Sequence, residues 1–167
     1  LTGVGTVKDD DPQLNVREVQ TTRQPLRVVV DSRMQTPLTA KILGPGTIIA
    51  AAGADVPRSV ALRAKGAEVV VLPNHESKVE LPALLQELAR RGCNEVHVEA
   101  GHKLNGSLLD EGLVDELLIY MAPCILGDTA QGMFHLPPLD SLAARRRLKI
   151  TDVTRIGDDL RILARPA

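Results

Sequence analysis

The segment GTVKDDDPQLNVR, residues 5–17, holds the first side chains that could bind a ligand. Its three aspartates precede Pro12, but a calcium-binding EF-hand loop needs a glutamate at its twelfth position, and no frame that starts at these aspartates supplies one. A turn before Pro12 is the plainer interpretation, and we favour it by roughly two to one. Thr6, Asp10 and Arg17 nevertheless lie on a strand exit and the loop beyond it, where open α/β sheets bind ligands. The planar fork of Arg17 would suit a phosphate group.

The segment VEAGHKLNGSLL, residues 98–109, has the spacing of a phosphate-binding loop but lacks its lysine. Gly101 and Gly106 are separated as in a Walker A motif, whereas Ser107 stands at the lysine position. Glu99 ends a predicted strand, and Gly101 would let the backbone turn and approach a ligand closely. The start of the next predicted helix would attract a phosphate through its positive dipole end. Tight packing of the helix on the strand explains the glycines equally well.

Asp31 and Ser32 follow another apolar run and lie on the same predicted rim. For either residue alone, capping of the next loop is the safer interpretation. The sequence contains no H-E-x-x-H metal motif, no G-x-S-x-G nucleophile elbow and no G-x-G-x-x-G dinucleotide fingerprint. Its four histidines have no metal-ligand spacing, so we expect no metal site. His97, between two valines, is expected to be a strand-face histidine rather than a base.

Alternating strands and helices must position these candidate residues. Apolar, β-branched runs predict strands over 27–31, 47–52, 67–72, 95–100 and 116–122. Proline near the start, helical spacing and a final glycine predict helices over 56–66 and 81–92, and a third is expected over 104–111. The C-terminal alternation, broken at Gly157, predicts a β-hairpin. We therefore expect an α/β fold with a mixed, mostly parallel central sheet flanked by helices, and an antiparallel hairpin added at one edge.

Composition limits the partners of the protein. The 167 residues are 44% hydrophobic and 25% charged, as in a single globular domain. A net charge of −1, with one tyrosine, one phenylalanine and no tryptophan, argues against nucleic acid or a membrane as partner. No apolar run approaches the ~20 residues of a membrane span. The unpaired spacing of Cys93 and Cys124 and the lack of a signal peptide predict a cytoplasmic protein.

Four segments together resemble the reductase domain of the bacterial bifunctional riboflavin-biosynthesis deaminase/reductase. They are TGVGTVKDDDPQLNVR, QPLRVVVDSRMQTP, VHVEAGHKLNGSLLDEGLVDELLIYMAPCILGD and GMF, which cover most of the chain in the family's order. The resemblance implies a dihydrofolate-reductase-like fold and NADPH-dependent reduction of 5-amino-6-(5-phosphoribosylamino)uracil, which converts the ribosyl side chain to a ribityl chain.

The same resemblance has implications for organisation and partners. Residues 1–167 would form a single reductase domain that lacks the family's usual first strand and helix. The zinc deaminase signature of the partner domain is not found in this sequence, so the parent protein would be fused to, or partnered with, a zinc deaminase domain. The family also implies a homodimer or homotetramer.

The resemblance assigns binding roles residue by residue. NADPH would be bound by residues of three segments: Thr6 and Asp10; Ser32; and Gly101, His102, Lys103, Leu104, Asn105, Gly106 and Ser107. The phosphoribosylaminopyrimidine would be bound by Leu14, Arg17 and Glu99, with Arg17 suited to its phosphate. No residue is identified as the general acid. Catalysis would then depend mainly on holding the hydride donor and acceptor carbons close together.

Two alternatives remain open at this point. The fold could serve as a non-catalytic nucleotide-binding or assembly module. It could also reduce a different pterin-like or pyrimidine substrate.

Overall fold

The computed structural model describes all 167 residues, which form two compact units, residues 1–104 and 105–167. The first unit is built on a parallel sheet with the strand order β1-β2-β3-β4. The strands are β1 (Thr2–Gly3), β2 (Arg27–Val30), β3 (Thr47–Ala51) and β4 (Ala67–Val71). All five residues of β3 are buried, as expected for a central parallel strand covered on both faces. The strands predicted over 27–31, 47–52 and 67–72 are therefore confirmed.

Two helices of this unit follow the sequence prediction. In α2 (Val56–Ala64), the side chain of Asp55 caps the start by accepting a hydrogen bond from the backbone N–H of Arg58 at 2.9 Å. The third helix, α3 (Leu81–Arg90), buries Leu81, Leu84 and Leu88, which recur at helical spacing. Each helix is followed by a glycine with positive φ, so both predicted ends are confirmed.

The prediction missed the first helix. Thr6 and Asp10 were expected on a strand exit and a loop, but they lie on α1 (Val4–Asp10). Glycine and consecutive aspartates have poor helix propensity, which concealed this short helix. The turn predicted before Pro12 is confirmed, because Asp11 ends α1 in the left-handed conformation with φ of 45°.

The strand predicted over 95–100 is wrong as a regular strand, because no strand is assigned in that segment. Two backbone hydrogen bonds still align it with the first residue: the nitrogen of Leu1 donates to His97 O at 2.6 Å, and Glu99 N–H donates to Leu1 O at 2.9 Å. This pair of bonds is too short a ladder to define a strand, but it places Glu99 beside β1.

The core of the first unit lies between the sheet and the segments that cross it. Its cluster contains Val7 of α1, Val29 of β2, Ile49 of β3 and Leu62 of α2, all nearly inaccessible to solvent. Burying each such side chain contributes about 1.5–3 kcal/mol. Because Val7 belongs to this cluster, α1 is held firmly at the end of β1.

The second unit contains an antiparallel sheet with the order β5-β7-β6, formed by β5 (Leu117–Met121), β6 (Leu148–Ile156) and β7 (Asp159–Pro166). The predicted C-terminal hairpin and the predicted strand at 116–122 are confirmed. The α/β class is also confirmed, but the antiparallel strands pair only with one another. The expected single mixed sheet is therefore replaced by two sheets.

The remaining helix, α4 (His102–Asp110), corresponds to the helix predicted over 104–111 and is followed by Gly112 with φ of 68°. A short 3-10 helix, Leu142–Ala144, precedes β6. None of the helices has both the length and the apolar character needed to span a bilayer.

Candidate functional site

Two clefts in the first unit adjoin each other at the end of β1. The larger has a volume of about 1010 Å³ and the smaller a volume of about 410 Å³. Pro12, Leu14 and Glu99 line both clefts, so they form the junction between them. Ligand pockets usually have volumes of ~300–1000 Å³. The arrangement therefore provides room for two ligands that meet at the junction.

The smaller cleft brings together three residues predicted to bind a cofactor. It is lined by Thr6, Asp10 and Gly101, together with the junction residues and Ala100. Thr6 and Asp10 are four residues apart on α1, which places both side chains on one face of that helix. Because α1 begins directly after β1, this face lies at the carboxyl edge of the parallel sheet, where such folds bind ligands.

A hydrogen bond joins the two segments that form this cleft. The backbone N–H of Gly101 donates to Thr6 Oγ1 at 3.2 Å. Gly101 does not have a positive φ, so the turn itself does not require glycine, contrary to the prediction. A Cβ at this position would meet only Thr6 Oγ1 at 3.7 Å, an ordinary contact. The space around Gly101 therefore does not require a glycine either, and its role in cofactor binding stays a prediction.

The larger cleft contains the three residues predicted to bind a substrate. Leu14 and Arg17 come from the loop after α1, and Glu99 comes from the segment beside β1. The carboxylate Oε1 of Glu99 lies 3.4 Å from Nε2 of His97, which lines the same cleft. Both side chains are about two-thirds exposed, at 63% and 64%, so they are available to a ligand. The prediction treated His97 only as a strand-face residue and missed its place in this cleft.

The loop that carries Leu14 has an unusual backbone. Leu14 adopts a φ of 45°, a left-handed conformation that costs a non-glycine residue roughly 1–3 kcal/mol. The carboxylate of Asp11 holds the start of the loop: it accepts the N–H of Lys41 at 2.8 Å, and its Oδ2 lies 3.3 Å from Lys41 Nζ. The hydrogen bond from the Lys41 backbone, aided by the Lys41 side chain, lowers the pKa of Asp11. Conformations of this kind are maintained where the surrounding structure fixes them, often at binding sites.

Asp31 and Ser32 have structural contacts. Asp31 is 1% exposed, and its carboxylate accepts hydrogen bonds from Gln35 N–H at 2.8 Å and from both the N–H and the hydroxyl of Thr36 at 2.7 Å. Ser32 Oγ accepts a hydrogen bond from Val79 N–H at 3.2 Å. Ser32 lines neither cleft, so the structure does not bring this predicted cofactor residue to the other candidates. Loop capping, the safer interpretation from sequence, agrees with these contacts.

The predicted phosphate-binding stretch continues from Gly101 into α4, whose first residues are His102 and Lys103. The helix start offers the positive dipole end expected there. Gly106 is buried, and the backbone of His135 approaches it so closely that a Cβ would overlap with it. Close packing therefore explains this glycine, in agreement with the packing alternative that the sequence left open. Of this predicted stretch, only Gly101 lines a cleft; His102, Lys103, Leu104, Asn105, Gly106 and Ser107 line neither.

The comparison with known families decides the family of this chain. The model of the RibD C-terminal domain matches residues 1–162. The chain belongs to this family. The match covers both clefts, all the predicted site residues, the parallel sheet and the antiparallel sheet as far as the first half of β7, so the RibD C-terminal domain accounts for nearly the whole sequence.

Curated relatives extend over the same range. The riboflavin biosynthesis protein RibD of Bacillus amyloliquefaciens is 36% identical over 171 residues, covering 99% of this chain and 46% of that protein. The 2,5-diamino-6-ribosylamino-4(3H)-pyrimidinone 5′-phosphate reductase of Archaeoglobus fulgidus is 38% identical over 176 residues, covering 99% of this chain and 78% of that protein. The chain thus spans about half the length of the bacterial relative and most of the archaeal one.

A solved structure supports the fold. RibD of Acinetobacter baumannii superposes with a TM-score of 0.84 at 33% identity, covering 99% of this chain and 46% of that protein. The α/β architecture, with its parallel and antiparallel sheets, is therefore that of a RibD reductase-type domain.

Proposed function

We propose that this RibD C-terminal domain is an oxidoreductase of riboflavin biosynthesis that reduces 5-amino-6-(5-phosphoribosylamino)uracil with NADPH. The ribosyl side chain would become a ribityl chain. The observation that carries the proposal is the junction of the two clefts at Leu14 and Glu99. A reductase must bring a cofactor and a substrate together at one point, and adjoining clefts with shared walls meet that requirement.

The smaller cleft fits the cofactor by the chemistry of its side chains. The carboxylate of Asp10 is an acceptor, suited to the ribose hydroxyls or the carboxamide of a nicotinamide nucleotide. The hydroxyl of Thr6 can donate to the nucleotide while its oxygen accepts Gly101 N–H. The start of α4 supplies a positive dipole end for the cofactor phosphates. No lysine of the Walker type is required, because a dinucleotide that gives up a hydride keeps its phosphates intact.

The larger cleft fits a sugar phosphate attached to a polar base. The Arg17 guanidinium can bind a phosphate through two parallel hydrogen bonds. Glu99, at the junction, can accept hydrogen bonds from the sugar hydroxyls close to the reacting carbon. When bound, NADPH would supply the hydride to C1′ of the ring-opened imine form of the ribosyl group, in which the C1′–O4′ bond has broken to leave a hydroxyl. Solvent would supply the proton that the imine nitrogen takes up. The chain's own contribution is to hold C1′ at the junction, since correct placement alone is worth up to ~7–11 kcal/mol of barrier.

One specific observation favours a second substrate. The Archaeoglobus fulgidus relative, 38% identical, is named for a 2,5-diamino-pyrimidinone phosphate rather than a uracil. This substrate has the same phosphoribosylamino and 5-amino groups but carries a second amino group at ring position 2, where the uracil has an oxygen. The same clefts would bind it, so both pyrimidines should be tested as substrates.

The larger assembly is also a proposal. The chain spans 46% of the Bacillus amyloliquefaciens protein, which supports a parent in which a deaminase domain accompanies the reductase. A homodimer or homotetramer is proposed from the family resemblance alone. Light scattering on the parent protein would measure the number of subunits.

The proposed activity is tested by following NADPH oxidation at 340 nm with each phosphoribosylaminopyrimidine, for this chain and for its longer parent. We expect turnover by the parent that falls strongly in Arg17→Ala and Glu99→Ala. Turnover unchanged in both variants would contradict the site. Thermal stabilisation by NADPH without turnover of either pyrimidine would instead favour a non-catalytic nucleotide-binding module.

A further inference from the structure

The side chain of Gln24 forms a closed pair of hydrogen bonds with one residue of the substrate loop. Gln24 Oε1 accepts the N–H of Val16 at 2.9 Å, and Gln24 Nε2 donates to the carbonyl of Val16 at 3.1 Å. A side-chain amide carries one acceptor and one donor group, so only this orientation satisfies both backbone groups. Gln24 thus pairs with Val16 as a neighbouring strand would.

This pair of bonds acts directly on the residue before Arg17. The Val16 carbonyl belongs to the peptide bond that leads into Arg17, so the bond from Gln24 fixes the plane from which Arg17 starts. The guanidinium of Arg17 forms no ion pair within the chain, although Arg17 lines the larger cleft. Among these contacts, the Gln24–Val16 pair is therefore the one that constrains where the Arg17 side chain starts.

Gln24 is itself fixed by its place next to the sheet. It precedes Pro25, whose ring restricts the backbone, and β2 begins at Arg27. The N–H of Arg27 donates to Gly46 O at 2.9 Å, and its guanidinium donates to Pro45 O at 2.6 Å. The pair of bonds therefore connects a loop without regular structure to the start of a buried strand.

We propose that Gln24 is a positioning residue that holds Arg17 for the phosphate of the substrate. The inference rests on the proposed function, because the phosphate-binding role of Arg17 belongs to it. Gln24 and Val16 themselves line the larger cleft, so the test must separate positioning of Arg17 from direct contact of Gln24 with the substrate. Its loss should weaken phosphate recognition while leaving the cofactor cleft unchanged, since Gln24 and Val16 do not line that cleft.

The test compares Gln24→Ala and Gln24→Met, which retains the length of the side chain without its hydrogen bonds. Gln20→Ala, at an exposed glutamine of the same loop, is the matched control. Two hydrogen bonds of ordinary net strength predict a roughly threefold to tenfold rise in KM for the phosphorylated pyrimidine in both Gln24 variants. KM for NADPH and kcat should stay as in the protein without the substitution. KM for the dephosphorylated pyrimidine should be the same in the variants as in the protein without the substitution.

A double-mutant cycle separates positioning from general damage. In an Arg17→Ala background, Gln24→Ala should add nothing to the loss. Additive losses, an equal loss with the dephosphorylated pyrimidine, or an equal rise in KM for NADPH would overturn the proposal.

Calorimetry with ribose 5-phosphate measures phosphate binding without turnover. It therefore distinguishes failure of the positioning role from failure of the proposed activity. An affinity for ribose 5-phosphate that falls in both Arg17→Ala and Gln24→Ala supports the positioning role. An affinity that stays unchanged in either variant overturns it.

Discussion

The hydroxyl of Thr6 accepts a hydrogen bond from the backbone N–H of Gly101 at 3.2 Å, across 95 positions of sequence. The first residue lies on α1 and the second directly precedes α4. The family resemblance implies that both residues bind the cofactor, but it does not indicate that they touch. Their contact joins two segments that line the smaller cleft, so the shape of this cleft depends on both ends of the first unit.

Replacement of Thr6 by valine tests this contact. Valine retains the branched shape but cannot accept the Gly101 N–H, so we expect KM for NADPH to rise roughly threefold to tenfold, which corresponds to one or two lost hydrogen bonds. Thr6→Ser keeps the acceptor and serves as the control. Steady-state kinetics at saturating pyrimidine would measure the change. Equal behaviour of the valine and serine variants would show that the hydroxyl does not contribute.

Glu99 lines both clefts, which predicts that its replacement affects turnover rather than one ligand alone. Misplacement of the reacting carbon by about 1 Å can cost a factor of ~100 in rate. We therefore expect Glu99→Ala to lower kcat/KM by about tenfold to a hundredfold. Glu95→Ala, on the same segment but lining only the larger cleft, is the control and should have a much smaller effect. The account would be wrong on this point if both variants lost the same amount.

Asp31 is expected to matter for stability. Its buried carboxylate accepts three hydrogen bonds, from Gln35 and twice from Thr36. Asp31→Ala leaves these donors without a partner, which should reduce the free energy of unfolding by ~2–4 kcal/mol in urea titrations. The exposed Asp9→Ala is the control. A loss below about 0.5 kcal/mol in Asp31→Ala would mean that this turn is held by other contacts.

The pH dependence of stability should be reduced by Asp11→Asn. In the folded protein, the hydrogen bond from Lys41 N–H holds the pKa of Asp11 below its ordinary value of 3.8. A lowered pKa means that the stabilisation is fully present above the pKa of the unfolded chain and is lost as pH falls through the folded pKa. Thermal unfolding measured from about pH 6 down to about pH 3 should therefore show a shallower loss of Tm in Asp11→Asn than in the parent. Identical slopes would contradict this role of the Asp11–Lys41 contact.

The regular elements could be predicted because their signals are local. The helices α2 and α3 carry an early proline, apolar residues at helical spacing and a closing glycine. The buried strands β2, β3 and β4 are short β-branched runs. These patterns depend only on neighbouring residues, so no tertiary information is needed to detect them.

The missed features depend on tertiary contacts. The seven residues of α1 have poor intrinsic helix propensity, and packing of Val7 in the core is what supports them. The left-handed conformation of Leu14 and the pairing of Gln24 with Val16 leave no local pattern in the sequence. The separation of the antiparallel strands into their own sheet was missed because strand patterns do not specify which strands become neighbours.

Six of the thirteen residues predicted to bind a ligand line the two clefts, and the binding roles of all thirteen stay predictions. Thr6, Asp10, Leu14, Arg17, Glu99 and Gly101 all line the two clefts. Seven predicted residues do not line either cleft: Ser32, whose hydroxyl accepts the backbone N–H of Val79, and the six residues of 102–107. A family resemblance implies a role for each residue separately. That the two clefts meet at Leu14 and Glu99 can be seen only in the folded structure.

Isotope transfer tests the central claim most directly. The phosphoribosylaminopyrimidine would be incubated with the parent protein and NADPH carrying deuterium at the nicotinamide C4, separately for each of the two faces, and the product would be analysed by mass spectrometry. The account predicts one deuterium on C1′ of the ribityl chain from one labelled face only, with the yield falling sharply in Arg17→Ala. A ribityl product without deuterium from either form, or no ribityl product while NADPH still binds, would contradict it.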